Sequence, residues 1–187
     1  MNDLRAAEPG SGQTDTAERQ YFRITIRAPI HKVWAELTRC DSVLPFFFNS
    51  RCTTPGLAPG APIRMLSRDG KYAAVVGDVL EFEPPHRYAH TFKFTNLDDP
   101  PCVVRYRLKE VEEGTEFTLI NENVAAGSKS EKYMTMGGHF ITRNLKAIVE
   151  TGKATWAGRL QLFMMGLFAP FTPKRCLSKN WPFDRKI

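Results

Sequence analysis

Residues 77–123 read GDVLEFEPPHRYAHTFKFTNLDDPPCVVRYRLKEVEEGTEFTLINEN, and the fold follows from this stretch. Along residues 87–94, Tyr88, His90, Phe92 and Phe94 fall on one side of an extended chain, and Ala89, Thr91 and Lys93 on the other, because successive strand side chains point to opposite faces. Val104, Tyr106 and Leu108 repeat the pattern in the next segment, and Phe117, Leu119 and Asn121 in the one after. The breaks carry turn chemistry: Pro84-Pro85, Asp98-Asp99-Pro100-Pro101 and Glu113-Gly114. None is long enough for a helical crossover, so the strands should run antiparallel as a meander.

Working outward, residues 21–28 alternate Phe22, Ile24 and Ile26 with Arg23, Thr25 and Arg27, the signature of a half-buried strand. Pro29 suits the first turn of a helix, where its missing N–H costs nothing. Val33, Trp34 and Leu37 give that helix an apolar stripe. A second short helix is predicted near Asp41–Leu44 with Asp41 as its cap. Further strands are expected near 50–54, 62–67 and 72–82. After the sheet, Glu131 to Glu150 reads as a long helix stopped by Gly152, with Tyr133, Met136, Gly137, Phe140, Leu145 and Ile148 near one face. The expected order is β-α-α-β-β-β-β-β-β-α, an α+β layout with six to seven strands.

Three segments are expected: a disordered lead-in over 1–19, one domain over 20–152, and an extension over 153–187. A chain of 187 residues suits one domain with flanking pieces. Residues 1–19 lack the apolar core of a signal peptide, and nothing resembles a 20-residue membrane span. The four cysteines, Cys40, Cys52, Cys102 and Cys176, show neither a C-x-x-C pair nor zinc spacing. They read as buried or half-buried thiols of a cytoplasmic protein, with no metal or cofactor implied.

The charge is unevenly placed. Residues 152–187 hold seven basic side chains against one acidic, Asp184, which accounts for the whole net charge of +6. A nucleic-acid-binding domain would carry its basic residues on the folded face, so that class is excluded. Residues 156–169 are apolar apart from glycine, Gln161 and Arg159, and fit a short helix with Trp156, Leu160, Phe163, Met164 and Leu167 near one side. Three placements suit it: packed on the domain, against a second copy as a homodimer, or on an anionic membrane surface.

Four phrases carry a family resemblance: ITIRAPIHKVWAELT (24–38), GDVLEFEPPHRYAHTF (77–92), YRLKEVEEGTEFTLINE (106–122) and GGHFITRNLKAIVE (137–150). With the element order, they resemble the SRPBCC superfamily of START-like domains. Within it the chain is similar to the branch of homologues of the heat-shock protein 90 ATPase activator. The resemblance implies a helix-grip fold: a curved antiparallel sheet wrapped on a long C-terminal helix, with an apolar cavity between them. Gly137-Gly138-His139-Phe140 departs from the family pattern, because many relatives have a Gly-Trp pair there.

The residues expected to line such a cavity are Phe47, Tyr88, His90, Phe92, Tyr106, Phe117, Asn121, Tyr133, Met136 and Phe140. For any one aromatic, ordinary core packing is the plainer reading. Polar groups on an apolar face say more, since ligand sites are apolar with a few placed polar groups. His90 among apolar neighbours should be neutral near pH 7. Phe46-Phe47-Phe48 either closes the cavity mouth or packs under the first helix. Gly137 and Gly138 each cost a helix roughly 1 kcal/mol against alanine, so something should approach closely there. The leading expectation is binding of a small hydrophobic molecule. The alternatives are a cyclase or dehydratase using His90 or Tyr106 as acid or base, and a chaperone-associated regulator.

Overall fold

The computed structural model describes residues 19–40, 42–168, 171–185 and 187. Strand β1 (Gln20–Ile26) leads into helix α1 (Ile30–Leu37). Seven strands follow: β2 (Val43–Leu44), β3 (Ser50–Thr53), β4 (Pro62–Leu66), β5 (Ala73–Glu83), β6 (Arg87–Phe94), β7 (Cys102–Val111) and β8 (Gly114–Glu122). Helices α2 (Lys129–Thr151) and α3 (Trp156–Phe168) close the order. All eight strands form one antiparallel sheet in the order β1-β8-β7-β6-β5-β4-β3-β2. The sheet is a meander except that β1 returns to pair with β8, with Phe22 opposite Leu119 and Ile24 opposite Phe117. The curved sheet and the helix it grips make the α+β helix-grip fold.

One expected helix is absent. Val43–Leu44 pair with Arg51 and Ser50 as a short strand, and a 3-10 turn follows at Pro45–Phe47. Asp41, the expected cap, lies outside the described residues. Pro45 explains the outcome: a proline disfavours helical backbone in the residue before it, so Leu44 stays extended. The lead-in over 1–18 is also outside the described residues, as are Ala169 and Pro170 of the apolar stretch.

Helix α2 is capped at both ends. The Ser128 hydroxyl accepts from the Glu131 N–H at 3.0 Å, and the Glu131 carboxylate accepts from the Gly127 N–H at 2.7 Å. Gly152 ends the helix in a left-handed conformation, φ 77°, with its N–H on the Ile148 carbonyl. The buried stripe is Met134, Gly138, Ile141, Leu145 and Val149, spaced i, i+4, i+7, i+11 and i+15. It is rotated from the face expected on Tyr133 and Met136, which are 40 % and 61 % exposed. The two glycines have different neighbours. A Cβ at Gly138 would overlap the Phe22 ring on β1, whereas one at Gly137 would meet only Phe48, at 3.9 Å.

Asn144 sets the course of α3. Its Oδ1 accepts from the Thr155 N–H at 3.0 Å and the Thr155 hydroxyl at 2.9 Å, while its Nδ2 donates to the Phe140 carbonyl. The Thr155 hydroxyl in turn accepts from the Gly158 N–H and so caps α3. Gly158 lies against Asn144 so closely that a Cβ would overlap its amide. Beyond α3 the chain returns to the outer face of the sheet. Ser178 donates to the Lys71 carbonyl, and Trp181 packs on Ala73 and Val76. The Arg64 guanidinium, buried on β4, donates to the carbonyls of Trp181, Pro182 and Arg185 at 2.9, 2.8 and 3.3 Å.

The contrast between the two glycines gives a stability prediction. Gly138→Ala destabilises the protein by about 1–3 kcal/mol, because overlap with Phe22 outweighs the helix-propensity gain. Gly137→Ala is neutral or stabilises by up to about 1 kcal/mol. Urea denaturation of both variants checks the pair, and equal effects would contradict this packing.

Candidate functional site

The inner face of β6 and β7 builds the candidate site. Tyr88 stands opposite Tyr106 in the register, and His90 opposite Val104. Rings that alternate with outward residues along a strand must stack beside their cross-strand partners. Tyr88 and Tyr106 stack at 5.5 Å between centroids, and His90 lies 5.3 Å from Tyr88 and 5.9 Å from Tyr106. Phe92 continues the row at 6.0 Å from His90, and Phe117 stacks on Tyr106 from β8 at 6.1 Å. The sequence pattern thus brings Tyr88, His90, Phe92, Tyr106 and Phe117 together.

The three consecutive phenylalanines all contribute. A 3-10 turn has about three residues per turn, so successive side chains leave in directions a third of a revolution apart. Phe46 and Phe47 are buried, with Phe47 against Phe92 at 6.4 Å. Phe48 and Asn49 both adopt left-handed backbone, φ 54° and 56°. That reverses the chain and lays the Phe48 ring on Phe140 of α2, stacked at 4.3 Å. For a phenylalanine this backbone is strained by roughly 1–2 kcal/mol, which the stack must offset.

Between these groups lies a void of about 20 Å³, bordered by Phe46, Phe47, Cys52, Tyr88, His90 and Tyr106 among others. That is room for about one water. Phe46, weighed with Phe47 and Phe48 as a closure of the cavity, borders the void from the 3-10 turn, whereas sequence reasoning missed Cys52 and Met65, which reach it from the strands at the far edge of the sheet. The alternation of Cys52 and Met65, which face each other in register, was the available signal. Phe140 is drawn to the Phe48 side. Tyr133 meets Phe94 edge-on at 5.6 Å, and Met136 is exposed, so neither borders the void. Asn121 is buried away from it: its Nδ2 donates to Gln20 Oε1 and the Met134 carbonyl, and its Oδ1 has no partner.

The aromatic face carries no charge, and Arg39, which also borders the void, is paired with Glu36 at 2.9 Å. The His90 Nδ1 lies 2.8 Å from the Thr91 carbonyl oxygen, which can only accept, so Nδ1 carries the proton and Nε2 is the acceptor. Burial lowers the His90 pKa from 6.5 to about 4, with the Thr91 bond opposing weakly. Burial also raises Tyr88 and Tyr106, so both stay protonated. Nearby, the Cys40 thiol lies 3.9 Å from that of Cys52. Cys40 is half-buried, and Cys52, Cys102 and Cys176 are buried.

The His90 shift fixes a pH dependence. Between about pH 6.5 and pH 4 the unfolded chain binds a proton at His90 that the folded chain refuses, so stability is lost as pH falls through that window, by about 1.4 kcal/mol per unit. Above this window His90 contributes no slope. Urea midpoints of the wild type and His90→Phe, taken near pH 5 and near pH 7, should show the extra acid sensitivity only in the wild type.

Comparison with known proteins places this geometry in a family. Residues 27–150 match the family described as activator of Hsp90 ATPase homolog 1-like protein. No match was found among curated proteins. Among solved structures, the Aha1 dimer from Colwellia psychrerythraea is 18% identical, with a TM-score of 0.60 over 73% of this chain and 99% of that one. Protein MLL2253 from Mesorhizobium loti is 18% identical, with a TM-score of 0.59 over 71% and 96%. DynU16, a putative protein of the dynemicin biosynthetic locus, is 23% identical, with a TM-score of 0.59 over 73% and 48%. These likenesses are of fold. With the family model covering most of the chain, this protein belongs to the activator of Hsp90 ATPase homolog 1-like family, within the SRPBCC helix-grip domains.

Proposed function

We propose that the protein binds a small, neutral, largely apolar molecule between the inner face of the sheet and α2, against Tyr88, His90 and Tyr106. One observation carries the reading. Two phenols and a neutral imidazole share an aromatic face, and all three border the internal void. Ligand sites are apolar walls with a few placed polar groups, and a ligand hydroxyl or carbonyl would pair with these. The aromatic face offers a charged ligand no counter-charge, and Arg39 at the border of the void is already paired with Glu36, so burying a net charge there would be costly.

The void has room for about one water, so a larger ligand takes its space from side chains. The segment best suited to yield is Phe46–Phe48, which is held by ring stacking and already carries left-handed strain at Phe48. Phe92, Phe117 and Phe140 would form the walls around the displaced rings. The cyclase or dehydratase alternative is weaker on the same geometry. A histidine with a pKa of about 4 is a poor base at neutral pH, and phenols raised above their usual range are poor acids. One structural neighbour is a dimer, and pairing of two copies of this chain would leave the cavity reading unchanged.

Native mass spectrometry of the purified full chain, with organic extraction of whatever co-purifies, tests the proposal. A bound apolar compound at close to one per chain is expected. In the paired variant Tyr106→Phe with His90→Phe, its occupancy should fall about tenfold, the effect of losing roughly one buried hydrogen bond. A compound held equally well by the variant would remove these residues from the site.

A further inference from the structure

Helix α3 presents an apolar stripe that nothing covers among the described residues. Trp156, Leu160, Phe163 and Leu167, at i, i+4, i+7 and i+11, share one side with Met164. Trp156 is 71 % exposed, Phe163 65 % and Leu167 55 %. The opposite side, at Gly158, is the one seated on α2 through Asn144 and Thr155. The stripe therefore faces outward because the cap holds it there. Clustered large hydrophobics of this kind mark an interaction surface, whereas apolar side chains scattered singly on a surface need no explanation.

Charge decides what it meets. Lys153 and Arg159 border an open groove of about 680 Å³ between α3 and the ends of α1 and α2, where Leu162 and Phe163 supply apolar wall. Neither cation forms an ion pair among the described residues. They belong to the segment that carries the entire net charge of +6. A second copy docked on the same stripe by two-fold symmetry would bring its own Lys153 and Arg159 to this interface, and like charges repel. A surface of acidic lipids reverses that sign. Its headgroups pair with the two cations while its acyl region receives Trp156, Phe163 and Leu167, the arrangement of an interfacial helix. No helix among the described residues is long and apolar enough to cross a bilayer, so the contact would be peripheral.

We infer that α3 docks this protein on an anionic membrane surface, apolar stripe inward, with Lys153 and Arg159 at the headgroups. The contact uses no residue bordering the internal void, so it stands or falls separately from ligand binding. The experiment is sedimentation of the full chain with vesicles of phosphatidylcholine containing about one third phosphatidylglycerol, against pure phosphatidylcholine. Binding to the acidic vesicles is expected to be about tenfold tighter and to weaken as salt is raised. Trp34 and Trp181 are buried, so a blue shift in tryptophan emission on vesicle addition would report Trp156 leaving water. The doubles Phe163→Gln with Leu167→Gln, and Lys153→Glu with Arg159→Glu, should each lose about tenfold with unchanged melting temperature, all four positions being exposed. Wild-type protein left in the supernatant with acidic vesicles overturns the inference, as does equal binding by both doubles. A dimer in solution that the glutamine double breaks would assign the stripe to a second copy and also overturn it.

Discussion

Helix α2 comes close enough to β1 that the Phe22 ring occupies the space of a side chain at position 138. This contact fixes the depth of the helix in the sheet, and much else follows from it. Met134, Ile141, Leu145 and Val149 extend the same stripe along α2, so the helix turns its tightest face toward β1 and β8. Its other flank, at Gly137 and Phe140, stands farther from the strands, and the Phe46–Phe48 turn fills that gap. Two adjacent glycines therefore do different work: one admits a ring from the sheet, and the other lies beside the ring that covers the interior.

The interior combines aromatic packing with polarity that has no charge. Stacked rings run from Phe92 through His90 and Tyr88 to Tyr106 and Phe117. Desolvation acts on every ionisable group in this row in the direction that keeps it neutral. Such a face discriminates through hydrogen-bond geometry and shape, and is poorly set up for proton transfer near neutral pH.

Much of this was legible in the sequence. Period-two alternation in residues 87–123 located three neighbouring strands and put Tyr88, His90, Tyr106 and Phe117 on one face, because a half-buried strand writes its inner face into every second residue. Gly152 marked the end of α2 correctly, since a left-handed cap favours glycine. The face of α2 was harder: Met136 is as apolar as Met134, the Tyr133 ring adds to the wrong side, and small Gly138 hides the centre of the true stripe from a reading by hydrophobicity. The region around residue 44 was misread because Pro45 ends one local preference and begins another. The Phe48 stack on Phe140 and the return of the chain toward Cys52 follow two left-handed residues, Phe48 and Asn49, and neither is a glycine that would have announced the turn.

The clamp on the tail has a different kind of consequence. Arg64 grips residues 181–185 through main-chain carbonyls, and its remaining bonds go to the carbonyls of Ile63 and Gly77. A grip on the backbone does not read side chains. Side chains add to the grip at Trp181, whose indole packs on the sheet, at Phe183, whose ring lies 5.7 Å from the Arg64 guanidinium, and at Arg185, which lies over the Trp181 ring at 4.0 Å; Pro182 and Asp184 are open to replacement while the path of the chain is kept. Over evolutionary time the surface chemistry can be rewritten at little structural risk where only the backbone is held, whereas Arg64, one side chain on an interior strand, cannot be exchanged without releasing the tail.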